Sequence, residues 1–439
     1  MEMKRNRRTA LAAAFALCLG VLAGHSSPAS AAAPQAQQQP KYGVAEFNAW
    51  QTASKQKDPQ QKIKMLDDFV AKYPTSELLS YAYKDYMGAY YELHQWNKYI
   101  EYLDKFLALP VPQGERVQAL YQRAATFDFV YNAKSPNLTE ASTKARDSAL
   151  EGLKTLNEIP KPAQATDEQW AAFKKQYTTQ FYNTAATSSF YLKDYKAAAD
   201  NFHALLGLDP KQAGAQYMMG RAYLLETPPQ SMAGFWAVAR AIALKVQDAD
   251  KVTNFLRDRI SDYQSPVCDS AVDGELKELL TLAQNSEDPP ADYSIPSAAE
   301  LAKLREREVP AVIASLRANG KDGKNTWVSV CDGVFPEAFL AKIYEINATD
   351  PAAIEIKAAI GSTEEEVNAS TAPDVDLFVP GQPNAARLGK DDIFRYAGKM
   401  TGYTPSPFQI TFKEVKINPE DIPEEKGKKP AKKPGKAKP

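Results

Sequence analysis

FYNTAATSSFYLKDYKAAADNFHALLGLDP, residues 181–210, reads as two amphipathic helices folded back on each other. Phe181, Tyr182, Ala185 and Ala186 have helical spacing in the first half, and Tyr195, Ala198, Phe202 and Leu205 in the second. Asp194 stands at the turn as a cap for the second helix. Leu208-Asp209-Pro210 ends that helix, because proline cannot continue a helix interior. The small Ala186 and Ala198 let the two backbones approach closely.

The same layout recurs upstream. Phe47 and Trp50 begin a helical pattern that Asp58-Pro59 breaks, and Ile63, Leu66, Phe69 and Val70 carry it to a stop at Tyr73-Pro74. Tyr83, Tyr86, Met87, Tyr90 and Tyr91, then Trp96, Ile100, Leu103 and Phe106, form the next pair, which ends at Pro110. The stops Pro74 and Pro110 are 36 residues apart. A longer pair spans Val117 to Val130 and Ala141 to Leu156, with KSPNLTE inserted between its helices. Trp170 to Tyr177 leads into the quoted hairpin, and GAQYMMGRAYLLE opens another unit. Helices at Lys251–Tyr263 and Gly274–Leu282 read as caps of the array, and NSEDPPADYSIP as a boundary. Ala298 to Ala318 is a charged helix that Pro310 splits, and Asn319-Gly320 and Asp322-Gly323 read as turns.

This pattern resembles the tetratricopeptide repeat (TPR), whose units are ~34 residues long. Tyr195, Ala198, Phe202, Leu205 and Pro210, and Gly220 with Tyr223, stand at matching positions; the first and third units depart from the consensus. The resemblance implies an α-solenoid of helical hairpins whose first helices line a groove for an extended peptide or protein segment. Carried onto this sequence, it points to Lys84 and Tyr91, Asn183 and Thr187, and Tyr217 and Arg221.

After Trp327 the period falls from 3.6 to about 2. Ala338 to Asn347, Ile354/Ile356/Ala358/Ile360, Val375/Leu377/Val379, Phe394/Tyr396/Met400 and Phe408/Ile410/Phe412 give about five short strands, with Gly398 or Gly402 as a bend or bulge. This half resembles an OB-like β-barrel of the kind appended to secreted bacterial repeat proteins. The fold class expected is therefore multidomain, α then β: a TPR-like solenoid followed by a small OB-like barrel. The expected divisions are a signal peptide at 1–33, a linker at 34–41, repeats at 42–288, a linker and helix at 289–326, the β domain at 327–418 and a Lys/Pro-rich tail at 419–439.

MEMKRNRR followed by TALAAAFALCLGVLAG and HSSPASAAA has the basic, apolar and small-residue regions of a secretory signal. The apolar run is shorter than the roughly 20 residues that span a bilayer. The chain is thus expected to be exported, periplasmic or secreted, with no transmembrane segment once the signal is removed. Residues 1–33 carry four basic side chains and Glu2, and the stretch after Pro423 carries seven Lys and two Glu; with a formal total of −1, the body between them holds −9. An acidic body argues against a broad nucleic-acid footprint. The tail lysines, Lys426 to Lys438, read as a solubilising segment or as a contact for an anionic envelope surface. Cys18 leaves with the signal. Cys268 and Cys331 remain, either as two separate thiols or as one bond, which would close a long loop and contribute about 4 kcal/mol in the chain-entropy model.

No catalytic residue is legible. There is no G-x-S-x-G elbow, phosphate loop, H-E-x-x-H or paired C-x-x-C. His94 and His203 each stand alone on a helical stretch, Glu364–Glu366 read as a solvated loop, and no cofactor or metal is implied. The barrel aromatics share the apolar phase, apart from Tyr344 and Phe378. The expectation is a non-enzymatic scaffold or adaptor that binds a protein or peptide in the groove of the array. The alternative is a carbohydrate- or oligonucleotide-binding module that uses the barrel.

Overall fold

The computed structural model describes residues 42–318 and 320–424, without side-chain detail at 336–338. The signal peptide, the linker at 34–41 and the tail lysines lie outside these residues. The chain divides into two compact units between Gln247 and Asp248. The first is built of helices; the second combines helices with a C-terminal sheet.

The first unit contains α1 (Val44–Lys55), α2 (Pro59–Lys72), α3 (Leu79–Glu92), α4 (Trp96–Leu107), α5 (Gln113–Val130), α6 (Leu138–Glu158), α7 (Asp167–Tyr191), α8 (Tyr195–Leu208), α9 (Ala213–Leu225) and α10 (Ser231–Ala243). Local chemistry sets the boundaries. Asp58 accepts from Gln61 N at 2.8 Å and Pro59 opens α2, where a missing N–H costs nothing. Thr166 and Gln169 form a capping box at α7. The Asp194 side chain caps α8 by accepting from Ala197 N. The segment before the quoted hairpin is not a separate helix: α7 runs unbroken for 25 residues.

Two turns share one geometry. His94, between α3 and α4, has φ 55°, and Lys193, between α7 and α8, has φ 61°. In each case the residue after the last helical turn and the one following it bond back to carbonyls, His94 N to Tyr91 O and Gln95 N to Tyr90 O, Lys193 N to Phe190 O and Asp194 N to Ser189 O. This is the Schellman closure, which satisfies the orphan carbonyls of a helix end. His94 therefore belongs to a turn rather than a helix, with its ring 5.7 Å from that of Trp96. His203 is exposed on α8.

Each helix of this unit packs against its neighbours in sequence, and α1 also meets α3 and α5 meets α7. The residue pairing gives their direction. Trp50 Nε1 and Ser54 Oγ of α1 both donate to Asp85 of α3, while Trp50 also meets the ring of Tyr81. Tyr121 of α5 stacks on Tyr177 of α7 with centroids 4.1 Å apart, and Asp128, two turns on, meets Gln180, Asn183 and Thr184. Contacts advance together along both helices, so α1 and α3 run the same way, as do α5 and α7. Within the α3–α4 pair they run oppositely: Tyr91 meets Trp96 and Tyr86 stacks on Tyr102.

The second unit begins with α11 (Ala249–Gln264) and α12 (Asp269–Asn285), followed by α13 (Ala298–Arg305), α14 (Val309–Arg317) and α15 (Lys321–Val330). The disulfide between Cys268 and Cys331, 63 residues apart in sequence, and the approach of Lys324 to Glu275 tie α12 to α15, while Arg257 of α11 pairs with Asp269 and Asp273 of α12. Pro310 sits in the first turn of α14 and splits the charged helix as expected. Asp322-Gly323 is not a turn; it lies inside α15. Asp322 pairs with Arg307 through two contacts of 2.9 Å, and a Cβ at Gly323 would lie 2.6 Å from Ser315 O. Close packing, not turn chemistry, explains that glycine.

Five strands follow: β1 (Val334–Asn347), β2 (Ala353–Gly361), β3 (Val375–Pro380), β4 (Ile393–Pro405) and β5 (Phe408–Ile417). β1 pairs antiparallel with both β2 and β4, β2 with β3, and β4 with β5, while β3 and β5 are parallel. The sheet closes in the order β1-β2-β3-β5-β4. Register shifts in β4 fall at 397–399 and 400–402, at both candidate glycines. Glu364–Ala369 forms a short helix, α16, rather than a loop, because Thr363 caps it. Phe339, Phe394, Tyr396 and Phe412 fill the interior, and Val312, Ile313 and Leu316 of α14 join the same core.

Candidate functional site

A polar face of the helical unit lies along α7. Gln176, Gln180, Asn183 and Thr187 are spaced by four, three and four, which puts them on one face of a helix. Each is half-buried, whereas Tyr177 and Phe181 beside them are buried. Gln176 donates to Tyr121 Oη at 3.1 Å, and Gln180 and Asn183 donate to Asp128 Oδ2 at 2.7 and 2.8 Å. Thr184 completes the set at 2.7 Å. With the amide N–H groups turned to α5, the amide oxygens remain as acceptors. A cavity of about 620 Å³ adjoins this face, lined by Tyr121, Lys175, Gln176, Thr179 and Gln180 and closed by Leu208 to Pro210. Acceptors and hydroxyls in a row match the N–H groups of an extended chain.

The six residues drawn from the sequence divide among three helices. Asn183 and Thr187 share the α7 face, but Asn183 is engaged with Asp128. Lys84 on α3 sits 2.7 Å from Glu115 at the surface and over the rings of Tyr81 and Phe106. An exposed pair of this kind contributes little to stability. Tyr91 is packing material, edge-on to Trp96. On α9 the Arg221 guanidinium lies 5.0 Å from the Phe190 ring and 5.6 Å from the Tyr217 ring, a cation–π stack that presents its donors beside α7. Gln176 and Gln180 were missed, although they stand seven and three residues before Asn183 on the same face. Asp128 was also missed, because its partners are more than 50 residues away.

Burial tunes two groups elsewhere in the helical unit, on α3. Asp85 is held above the ordinary carboxylate range by desolvation, against hydrogen bonds from Ser54 and Trp50 that favour the anion. The Tyr90 hydroxyl is pushed up to about 12 by burial and by Tyr102. None of this assembles a nucleophile with a base. Among the described residues, no group of three His, Cys, Asp or Glu side chains is placed to hold a metal ion, and no helix is long and apolar enough to cross a membrane.

On the barrel, the aromatic phase points inward as its alternation predicts. Phe378 keeps 36% of its surface exposed, and the Tyr344 hydroxyl donates to Ser370 O at 2.6 Å. Among the described residues the strands therefore carry no row of exposed rings on which bases could stack. Comparison with protein-family models gives no match, and comparison with curated proteins gives none.

Proposed function

We propose that this chain is an exported, non-enzymatic adaptor whose helical unit is a TPR-like array that grips an extended segment of a partner protein. The same-direction run of α1 with α3 and of α5 with α7, combined with the amide face of α7, is the observation that carries the reading. Stacked hairpins with parallel first helices put those helices side by side, and their exposed faces then form one continuous binding strip. Gly220 and Gly234 support it further. A Cβ on Gly220 would lie 2.7 Å from Val238 and 2.9 Å from Gly234 O, a close α9–α10 crossing of the kind TPR glycines permit. For the sheet, the order β1-β2-β3-β5-β4 with β1 paired twice and β3 parallel to β5 favours the OB-like reading. In this reading the barrel is a companion domain rather than a nucleic-acid platform.

The test is site-specific photocrosslinking of the full chain in envelope extract. A crosslinker at Thr187 or Lys175 is expected to trap a defined partner peptide, and one at His203 on α8 is not. Equal labelling from both faces would remove the assignment.

A further inference from the structure

The second unit holds a cleft that the adaptor reading does not use. It measures about 550 Å³ and lies among α12, the segment 290–294, α15 and the end of β4. That size is within the range of pre-formed small-molecule sites, roughly 300–1,000 Å³. We propose that this cleft binds a neutral saccharide of one or two rings.

Three observations carry the proposal. The first is a buried charge in the wall of the cavity. Glu275 is 1% exposed, and among the described residues no donor completes a hydrogen bond to either of its oxygens. Lys324 Nζ approaches to 3.4 Å and also contacts Glu278. A buried carboxylate beside a single ammonium is costly, and it marks this wall of the cavity as strongly polar.

The second is the balance of charge. Glu275, Glu278, Asp292, Lys321 and Lys324 all line the cleft, with Lys324 paired directly to Glu278 and Glu275. A strong anion would meet three carboxylates, and a strong cation two ammoniums. A polyol carries donors and acceptors on adjacent carbons and satisfies both sides. The lining also excludes an oligonucleotide, which needs a positively charged track.

The third is the presence of aromatic walls beside these polar groups. Trp327 and Tyr403 line the cleft with ring centroids 5.8 Å apart, and Tyr403 is fixed by donating to Leu316 O at 2.9 Å. Tyr293 adds a further ring at the edge. Flat apolar rings flanked by carboxylate, amide and ammonium suit the C–H face and hydroxyl rim of a pyranose.

The experiment is saturation-transfer NMR and calorimetry on the full chain with glucose, N-acetylglucosamine and their β-1,4-linked disaccharides, and with spermidine and glucose 6-phosphate as charged controls. Saturable binding of a neutral sugar is expected, weakened about tenfold by Lys324→Gln and by Asn325→Ala. Both positions are part-exposed, and Asn325→Ala leaves the Glu275 ion pair in place, so it remains informative if Lys324→Gln fails to fold. Silence across the sugars, a response to a charged control alone, or sugar binding unchanged in both variants would overturn the proposal. None of these outcomes bears on the α7 face, which is tested separately.

Discussion

The ring of Phe181 occupies the space that a side chain on Gly152 would need. Three of its carbons crowd the position where a Cβ would stand. Gly152 is buried in α6 and Phe181 is buried in α7, so the pair sets how closely these long helices cross. A glycine inside a helix ordinarily costs about 1 kcal/mol relative to alanine; here the aromatic contact offsets it.

Gly152→Ala should therefore destabilise the first unit by about 1–3 kcal/mol, despite alanine's better helix propensity. Urea denaturation followed by far-UV circular dichroism measures it. A second change, Phe181→Leu, should recover part of the loss by vacating the space. An unchanged or raised midpoint for Gly152→Ala would show that the helices separate freely there.

Asp128 gathers Gln180, Asn183 and Thr184 onto one oxygen. Asp128→Ala should cost about 2–3 kcal/mol, because donors on a half-buried face lose a charged acceptor. It should also loosen α7 from α5, seen as faster amide exchange over 176–187. If exchange rises no more there than in α9, Asp128 does not position this face.

Glu275 gives a pH signature. Burial raises its carboxyl above the ordinary value of 4.5, with Lys324 acting against the rise. In the unfolded chain it ionises near the ordinary value; in the fold it keeps its proton to higher pH. Between those two points the folded state holds the extra proton, so this group's contribution makes stability fall as pH rises. Glu275→Gln should flatten that fall as pH rises above the ordinary carboxylate range. Trp327 is the one tryptophan after residue 247, and its fluorescence reports this unit. Parallel pH curves for the two proteins would refute the assignment.

The Cys268–Cys331 bond closes a span of 63 residues. In the chain-entropy model its loss should cost the second unit about 4 kcal/mol. Cys268→Ser with Cys331→Ser should lower the Trp327 transition while leaving the helical transition of the first unit in place. A single shared shift would mean that the two units unfold as one.

Much of the helical half is legible in the chain because its signals are local. Asp58-Pro59, Asp194 and Leu208-Asp209-Pro210 mark helix ends within a few residues, and the apolar stripes mark the buried faces. The change of period after Trp327 likewise announces strands. Errors arise where a distant contact overrides a local cue. Asp322-Gly323 has turn composition but is helical, because Arg307 and Ser315 meet it from other elements. Gln176 and Gln180 carry no motif of their own; they become part of a site when α5 supplies Tyr121 and Asp128.

By itself, then, the sequence determined most of the helical segments and the change to strands after Trp327. Only the tertiary structure decided that α5 and α7 run the same way, that β3 and β5 pair in parallel to close the sheet, and that Glu275, Lys324, Trp327 and Tyr403 share one cleft. The reason is range: capping and periodicity act over three or four residues, whereas these pairings join positions tens of residues apart, and spacing along a chain does not specify which distant surfaces will meet.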